Sequence, residues 1–361
     1  MSNNSNWSIF RILCEVLGGQ NDQRLIQAEM NRQLPALFDI AAVNDVLPAL
    51  AVRCNDQQVS TDTLSEHQRS KLKQALIDNT VRNMQIKAQS LKITTQLNRA
   101  GITPLFLKGT LQLLDPSTKD LGFRKQLDID LLVEPEQLAI AADIFLAEGY
   151  NFCNTTAESY SKSTSLLNTS TAIKSSAAHH HLPPLIKEGY ETSVELHRHF
   201  LPKRFQQKNP LGPLFKRAQV QQSHGARFLT PSFDHQITHL ILGKVVHDGH
   251  LVRRTIPIRE ACDYIRLSET GKEFIDWNSL PRQCSDAHAV FSNIIEALML
   301  YPANGASINP RKTAVQLQIL QKRYNSPAVA NLLDAHARVL HLMSSFLHSP
   351  AKLPAYLRRL Q

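Results

Sequence analysis

The sequence predicts an α+β protein in which a strand-bearing middle lies between two helical regions. Residues 1–100 read as helical, with apolar residues at helical spacing. Residues 101–229 change to short apolar runs, some alternating with polar residues, separated by Gly, Pro, Ser and Thr. Residues 230–361 return to helical spacing, and the positive charge is concentrated after residue 200.

In the first region, Trp7 to Leu17 is a helix that stops at Gly18-Gly19. Further helices fill Asp22 to about Arg53, divided near Pro35 and Pro48. Thr61 to Arg99 is one long helix, capped by Thr61 or Thr63, with Leu72, Leu76, Val81, Met84 and Leu91 along its buried side. Nothing in this region has the chemistry of a catalytic group, so its role is scaffold or one wall of a cleft.

In the middle region, Gly101 closes the long helix, and Ile102 to Leu107 is a short apolar strand. It runs into the small-residue turn Lys108-Gly109-Thr110, and a helix follows over Thr110 to Leu114. Leu127 to Val133 is the next strand. Successive strand side chains point to opposite faces, so Asp128 and Asp130 project together while Ile129 and Leu131 enter the core. Pro135 then sits near the first turn of a helix from Glu136 to Glu148, stopped by Gly149. Tyr150 to Cys153 reads as another strand. Ser159 to Ser176, rich in Ser and Thr, reads as a loop or mobile flap. The segments His179 to Leu185 and Ser193 to His197 flank a hairpin turn at Lys187 to Glu191. Glu195 and His197 share one face of the second of these, with Val194 and Leu196 on the other.

In the last region, Thr230-Pro231-Ser232 starts a helix over Phe233 to Val246, and Asp248-Gly249 breaks it. Helices follow over Ile258 to Leu267, Ala287 to Leu300 and Pro327 to Leu347, and a basic tail closes the chain at Leu357-Arg358-Arg359-Leu360.

The five cysteines are scattered, odd in number and free of any Cys-x-x-Cys pair, which argues against a disulfide framework or a cysteine zinc site. The apolar stretch from Leu34 to Val52 is interrupted by Asp39 and Asp45, so it reads as a helix of a soluble protein and not as a membrane span. Met1 to Ser8 is polar and has no secretory pattern, so a cytoplasmic location is expected. The formal charge of +9 is uneven: +2 over residues 1–100, −4 over 101–200 and +11 over 201–361. A basic C-terminal region can face phosphates across a metal site, bind nucleic acid, or simply be solvated.

Two carboxylates on one strand face repel each other. A divalent cation relieves that repulsion, and a hard ion such as Mg²⁺ takes oxygen ligands, triphosphate oxygens among them. Asp128 and Asp130 beyond a glycine turn therefore suggest metal-assisted nucleotidyl transfer. The run His179-His180-His181, with His197 and His199 nearby, invites a zinc reading. Consecutive side chains alternate sides and no His-Glu-x-x-His motif is present, so one or two histidines lining the cleft is the better reading.

Leu107-Lys108-Gly109, Arg124-x-x-x-Asp128-Ile129-Asp130-Leu131-Leu132-Val133 and Val194-Glu195-Leu196-His197 occur in an order and spacing that resemble the bacterial nucleotidyltransferase family of the polymerase-beta-like superfamily, many of whose members are uncharacterised. The resemblance is strongest over residues 102–200. A weaker His-then-Arg-then-Asp pattern follows at His247, Arg259 and Asp263.

The resemblance implies a mixed sheet flanked by helices, with an NTP such as ATP bound at the glycine turn. It implies two Mg²⁺ ions, or Mn²⁺ in their place, held by Asp128, Asp130 and a third carboxylate matched by Glu195. Glu195 would also take the proton of an acceptor hydroxyl. Gly109 would admit the phosphates to the backbone, Thr110 would offer its hydroxyl where superfamily members often have Ser, and Lys108 and Arg124 would neutralise phosphate oxygens. His197 would face substrate or support the ligands, and Arg259 would contact substrate. The reaction implied is transfer of a nucleoside monophosphate to a hydroxyl of a small molecule, a protein or an RNA end, with release of pyrophosphate.

Each residue also has a plainer reading. Lys108 is then a surface lysine, Arg124 a partner of Asp120 or of a site aspartate, and Arg259 and Asp263 an ion pair four residues apart on a helix. Glu191 is a second candidate for the third carboxylate. The competing functions are a non-catalytic nucleotide-binding module of the same fold and a nucleic-acid-binding scaffold that uses the basic C-terminal region.

Overall fold

The structure is a computed structural model, and it describes residues 6–18, 23–56, 59–153, 167–270, 282–299 and 310–348. The chain opens with helices α1 (Asn6–Gly18), α2 (Gln23–Val43), α3 (Leu47–Asp56) and α4 (Glu66–Arg99). Strand β1 (Leu105–Phe106), helix α5 (Lys108–Leu114) and strand β2 (Asp128–Leu132) follow. After a 3₁₀ turn at Pro135–Gln137 come α6 (Leu138–Ala147), β3 (Asn151–Phe152), α7 (Thr169–Ser175), β4 (Leu185–Ile186) and β5 (Ser193–His197). Two short helices, α8 (Lys203–Gln206) and α9 (Leu211–Arg217), lead to a hairpin of β6 (Gln219–Ser223) and β7 (Ala226–Thr230). Helix α10 (Phe233–Thr238) continues as a π-helical stretch over His239–Val246. Helices α11 (His250–Arg253), α12 (Ile258–Thr270), α13 (Arg282–Met299), α14 (Pro310–Asn325) and α15 (Pro327–His348) complete the described chain.

The strands form one seven-stranded sheet in the order β3-β4-β5-β2-β1-β7-β6. It is mixed, because β2 pairs with β5 and β1 with β7 in parallel, while the other pairs are antiparallel. The expected α+β architecture, a mixed sheet flanked by helices, is what the chain forms.

The two faces of the sheet differ in chemistry. Phe106, Ile129, Leu131, Val194 and Leu196 turn to one side, where they pack with Ile86, Ile93 and Leu97 of α4 and Ala141, Ala142 and Phe145 of α6. Leu105, Leu107 and Leu132 belong to the other core, shared with α1–α3, α12 and α13. That second face also carries the acidic residues of β2 and β5, so a strip of charge lies inside an otherwise apolar layer. Helices α1 and α14 meet in this core: the Phe10 and Tyr324 rings stack at 4.0 Å, and the Trp7 backbone N–H donates to Asn325 Oδ1 at 3.2 Å. At Gly18 a side-chain carbon would collide with the backbone oxygen of Met299, so only glycine lets α1 lie this close to α13.

Several boundaries differ from those expected. Pro35 does not divide the second helix but lies inside α2. The long helix starts later than expected and is capped by Ser65, not Thr61 or Thr63: its hydroxyl accepts from the Gln68 backbone N–H while the Gln68 side chain reciprocates, a capping box. Val81 and Met84 are 49% and 56% exposed, and not on its buried side. The buried positions there include Asn79, Asn83 and Gln89, polar residues whose place in the core is set by the backbone groups they bind. The strand expected over Ile102 to Leu107 shortens to two residues, since α5 starts at Lys108 and the glycine turn is its first turn. Of the loop expected over Ser159 to Ser176, the part after Asn168 is α7, capped by the Asn168 side chain, and residues 159–166 lie outside the described residues. Helix α14 and the β6–β7 hairpin were not expected, and the basic tail lies outside the described residues.

Candidate active site

β2 and β5 run parallel with Asp130 opposite Glu195 and Leu132 opposite His197. Side chains opposite each other on one sheet face are neighbours, so the acidic residues of two strands 65 positions apart converge. Asp130 is fully buried. Its Oδ1 accepts from the Lys108 ammonium and from His197 Nε2 at 2.9 Å, while its Oδ2 has no partner. His197 Nε2 is also 3.6 Å from Glu195 Oε2. Donor atoms of Asp130, Glu195 and His197 all lie within 4.8 Å of one another. The compact donor set and the unpartnered oxygen at its centre fit a divalent cation.

The electrostatics follow from burial and proximity. Burial opposes ionisation of Asp130, yet the Lys108 charge and the His197 hydrogen bond hold its carboxyl well below the usual range. Burial also opposes a charged His197, but its hydrogen bonds to Asp130 and Glu195 raise its pKa. Glu195 is lowered against its own burial, chiefly by the His197 hydrogen bond. Asp128 behaves differently: burial and then the Asp130 charge push it up to about 6. Asp128 thus lies within reach of the cluster's field but outside the tight donor set.

Lys108 answers this negative charge. Burial works against its ammonium, but Asp130, Asp128 and Glu195 together raise its pKa. Its backbone is left-handed at φ 54°, a conformation costing about 1–2 kcal/mol in a non-glycine residue. The space that Gly109 leaves is filled by side chains: a Cβ there would strike Gln126 Oε1 and the Arg124 guanidinium. Thr110 is fully buried and its hydroxyl has no partner.

A family match completes this picture. The sequence model of an uncharacterised nucleotidyltransferase family matches residues 31–298, a span that takes in the glycine turn, both acidic strands and α12. The chain belongs to this nucleotidyltransferase family. No curated protein and no solved structure matches it.

Within this nucleotidyltransferase the remaining expected residues are less central. Arg124 is tied to Asp263 of α12, its Nε donating to both carboxylate oxygens at 2.9 and 3.0 Å, and it also bonds Gln126. Asp120 is not its partner. Arg259 pairs with the adjacent Glu260 at 2.7 Å, and not with Asp263. Arg259 lines two cavities, of ≈ 380 and ≈ 1260 Å³, and His247 only the larger, which also reaches Leu127, next to Asp128 in sequence. Glu191 is far more exposed than Glu195 and pairs with Arg82 at 3.8 Å. His180 and His181 flank the cluster with ring centroids 5.3 and 5.4 Å from His197, while His179 is exposed.

Sequence reasoning missed Gln126, His239 and Lys244. Gln126 is almost fully buried and donates to the Asp128 backbone carbonyl at 2.6 Å. His239 and Lys244, on the π-helical stretch, line a cavity of ≈ 60 Å³ together with Lys108 and Arg124. Burial, then the Lys108 charge, drives the His239 pKa well down, so its ring is neutral. π-helical stretches recur at functional sites, but a sequence pattern gives no sign of one.

Proposed function

We propose that this protein transfers a nucleoside monophosphate from an NTP to an acceptor hydroxyl, with Mg²⁺ or Mn²⁺ held at Asp128, Asp130 and Glu195. The observation that carries the reading is the parallel register of β2 and β5, which sets Asp130 opposite Glu195 with one carboxylate oxygen unpartnered. A divalent ion held there would supply charge neutralisation to these carboxylates and Lewis-acid stabilisation to the hydroxyl and triphosphate oxygens.

The chain's own residues supply the rest. Glu195, ionised and with a side chain 20% exposed against 0% for Asp130, is the carboxylate that can receive the hydroxyl proton. Lys108, already aimed into the cluster, and the unpartnered Thr110 hydroxyl are the groups for phosphate oxygens. Arg124 reinforces them from behind, oriented by Asp263. The ≈ 1260 Å³ cavity that reaches Leu127, next to Asp128 in sequence, is the space we assign to the acceptor. In this reading residues 101–229 carry the reacting groups, and the regions 1–100 and 230–361 wall the cleft.

The test is label transfer from each α-labelled NTP with Mg²⁺, offered RNA, protein and small-molecule fractions as acceptors. Wild type transfers label, and Asp128→Asn and Asp130→Asn, folded by circular dichroism, do not. Glu195→Gln slows transfer on the order of 10²–10⁴-fold while retaining the NTP-induced rise in Tm. Transfer by Asp130→Asn at the wild-type rate would sink the assignment.

A further inference from the structure

Among the described residues, the donors that the fold brings closest together are two carboxylates and an imidazole, not three carboxylates. We infer that His197 is itself a metal ligand, and that the site therefore takes a first-row transition-metal dication such as Mn²⁺ in preference to Mg²⁺. This rests on the metal-site reading of the carboxylates above, but not on the transfer reaction.

The geometry carries the inference. His197 Nε2 is 2.9 Å from Asp130 Oδ1 and 3.6 Å from Glu195 Oε2. Neighbouring ligands of a six-coordinate ion at about 2.1 Å stand about 3 Å apart, so Nε2 and Asp130 Oδ1 have the spacing of adjacent ligands of one ion, and a shift of about half an ångström brings Glu195 Oε2 to it. The ring is fully buried and held by its strand, so it has no solvent-facing alternative. Its other nitrogen, Nδ1, faces the His199 backbone carbonyl at 3.4 Å. A ligating histidine is commonly anchored in this way, with one nitrogen on a backbone carbonyl and the other on the metal. Asp130 Oδ2, buried and unpartnered, is a further oxygen the ion can take.

An imidazole changes which ion fits. Mg²⁺ prefers oxygen and sheds water reluctantly, so a buried nitrogen adds little to its binding. Affinity for nitrogen donors rises along the first transition row, where Mn²⁺ is the weakest member. Mn²⁺ is thus a conservative probe: a preference for it over Mg²⁺ is the minimum the donor set predicts. His181 is the nearest competitor, its Nδ1 likewise on a backbone carbonyl, Leu182 O, at 2.7 Å, but it lies outside the donor set.

The experiment uses the full chain, stripped with chelator. Isothermal titration with MnCl₂ and MgCl₂ is run on wild type, His197→Gln and His181→Gln, and pulsed EPR on the Mn²⁺ forms. The expected result is Mn²⁺ affinity at least about tenfold above that for Mg²⁺ in wild type. Pulsed EPR then shows a directly bound nitrogen in wild type and His181→Gln, absent from His197→Gln, with Mg²⁺ affinity little changed. Wild type grown on ¹⁵N-histidine, in which the nitrogen coupling must change isotope, gives the same readout should His197→Gln fail to fold. Mn²⁺ binding without a nitrogen coupling, or a coupling that survives in His197→Gln, overturns the inference. Failure of both ions to bind overturns it together with the metal reading, whereas metal binding without label transfer sinks only the reaction.

Discussion

Asp128 occupies a place that resists its own charge. Burial, with Asp130 as a negative neighbour, raises its pKa from an ordinary 3.8 to about 6. The folded protein therefore holds this proton more tightly than the unfolded chain does. Ionisation of Asp128 costs stability that is absent below about pH 4 and fully present above about pH 6. Asp128→Asn, which carries no charge, should raise the Tm of the metal-free protein at pH 8 by roughly a few °C and leave it unchanged near pH 4. Equal shifts at both pH values, read by calorimetry in chelator, would mean that Asp128 is not under this strain. Lys108 presents the complementary case: it accepts a left-handed backbone and places its ammonium on Asp130, where it serves as an internal counter-ion.

Helix α4 is the element that aims the segment before β2. Asn79 Nδ2 donates to Gly122 O at 2.6 Å and Arg124 O at 3.0 Å, and Asn83 Nδ2 donates to Leu121 O and to Arg124 O at 2.8 Å. These carbonyls flank Arg124, whose side chain meets Asp263 on the far side. Replacing Asn83 with Ala leaves buried carbonyls with one donor fewer, at a cost of about 1–3 kcal/mol. Denaturant unfolding should show that loss, and Asn79→Ala should be non-additive with it because both bond Arg124 O. Additive losses would mean that the two amides act independently.

This helix also shows what the sequence can and cannot convey. The alternation of Asp128, Ile129, Asp130 and Leu131 declares a two-faced strand, and the structure bears it out: Ile129 and Leu131 are fully buried in the α4–α6 core. Val81 and Met84 have helical spacing and are nonetheless exposed, while Asn79 and Asn83 are buried, because hydrogen-bond partners forty residues away outweigh hydrophobicity there. The register of Asp130 against Glu195 and the meeting of Arg124 with Asp263 depend on how distant segments align. The order of motifs pointed toward the first, and nothing local encodes the second. Arg259 paired with its neighbour for the same reason: helical spacing offered Asp263, but Arg124 had already claimed that carboxylate.

At the scale of the molecule, burial of neutral histidines sets the acid limit. His199 accepts from the Leu201 backbone N–H, and the His288 ring meets the Tyr264 hydroxyl at 2.9 Å. Burial first of all lowers both rings from 6.5 to about 4. Because the folded-state values are depressed, the stability these rings contribute is complete above about pH 6.5 and is lost as pH falls toward 4. Each ring adds a slope of at most about 1.4 kcal/mol per pH unit in that window. Chemical denaturation at pH 7 and pH 5 should show the drop in wild type and a shallower one in His288→Gln; identical slopes would place the acid sensitivity elsewhere. Among the described residues no helix is long and apolar enough to cross a membrane.

The stacking of Phe10 on Tyr324 and the seating of Gly18 against Met299 join α1 to partners roughly 300 residues further along the chain. During synthesis, at about 5–20 residues per second, α1 must wait tens of seconds for α13 and α14 to leave the ribosome. Throughout that interval its apolar face, including Phe10, Leu13 and Leu17, can pack on α2 and α3 but lacks its partners in α13 and α14. The nascent chain therefore carries α1 only partly covered, and slower translation of the later helices would prolong that exposure.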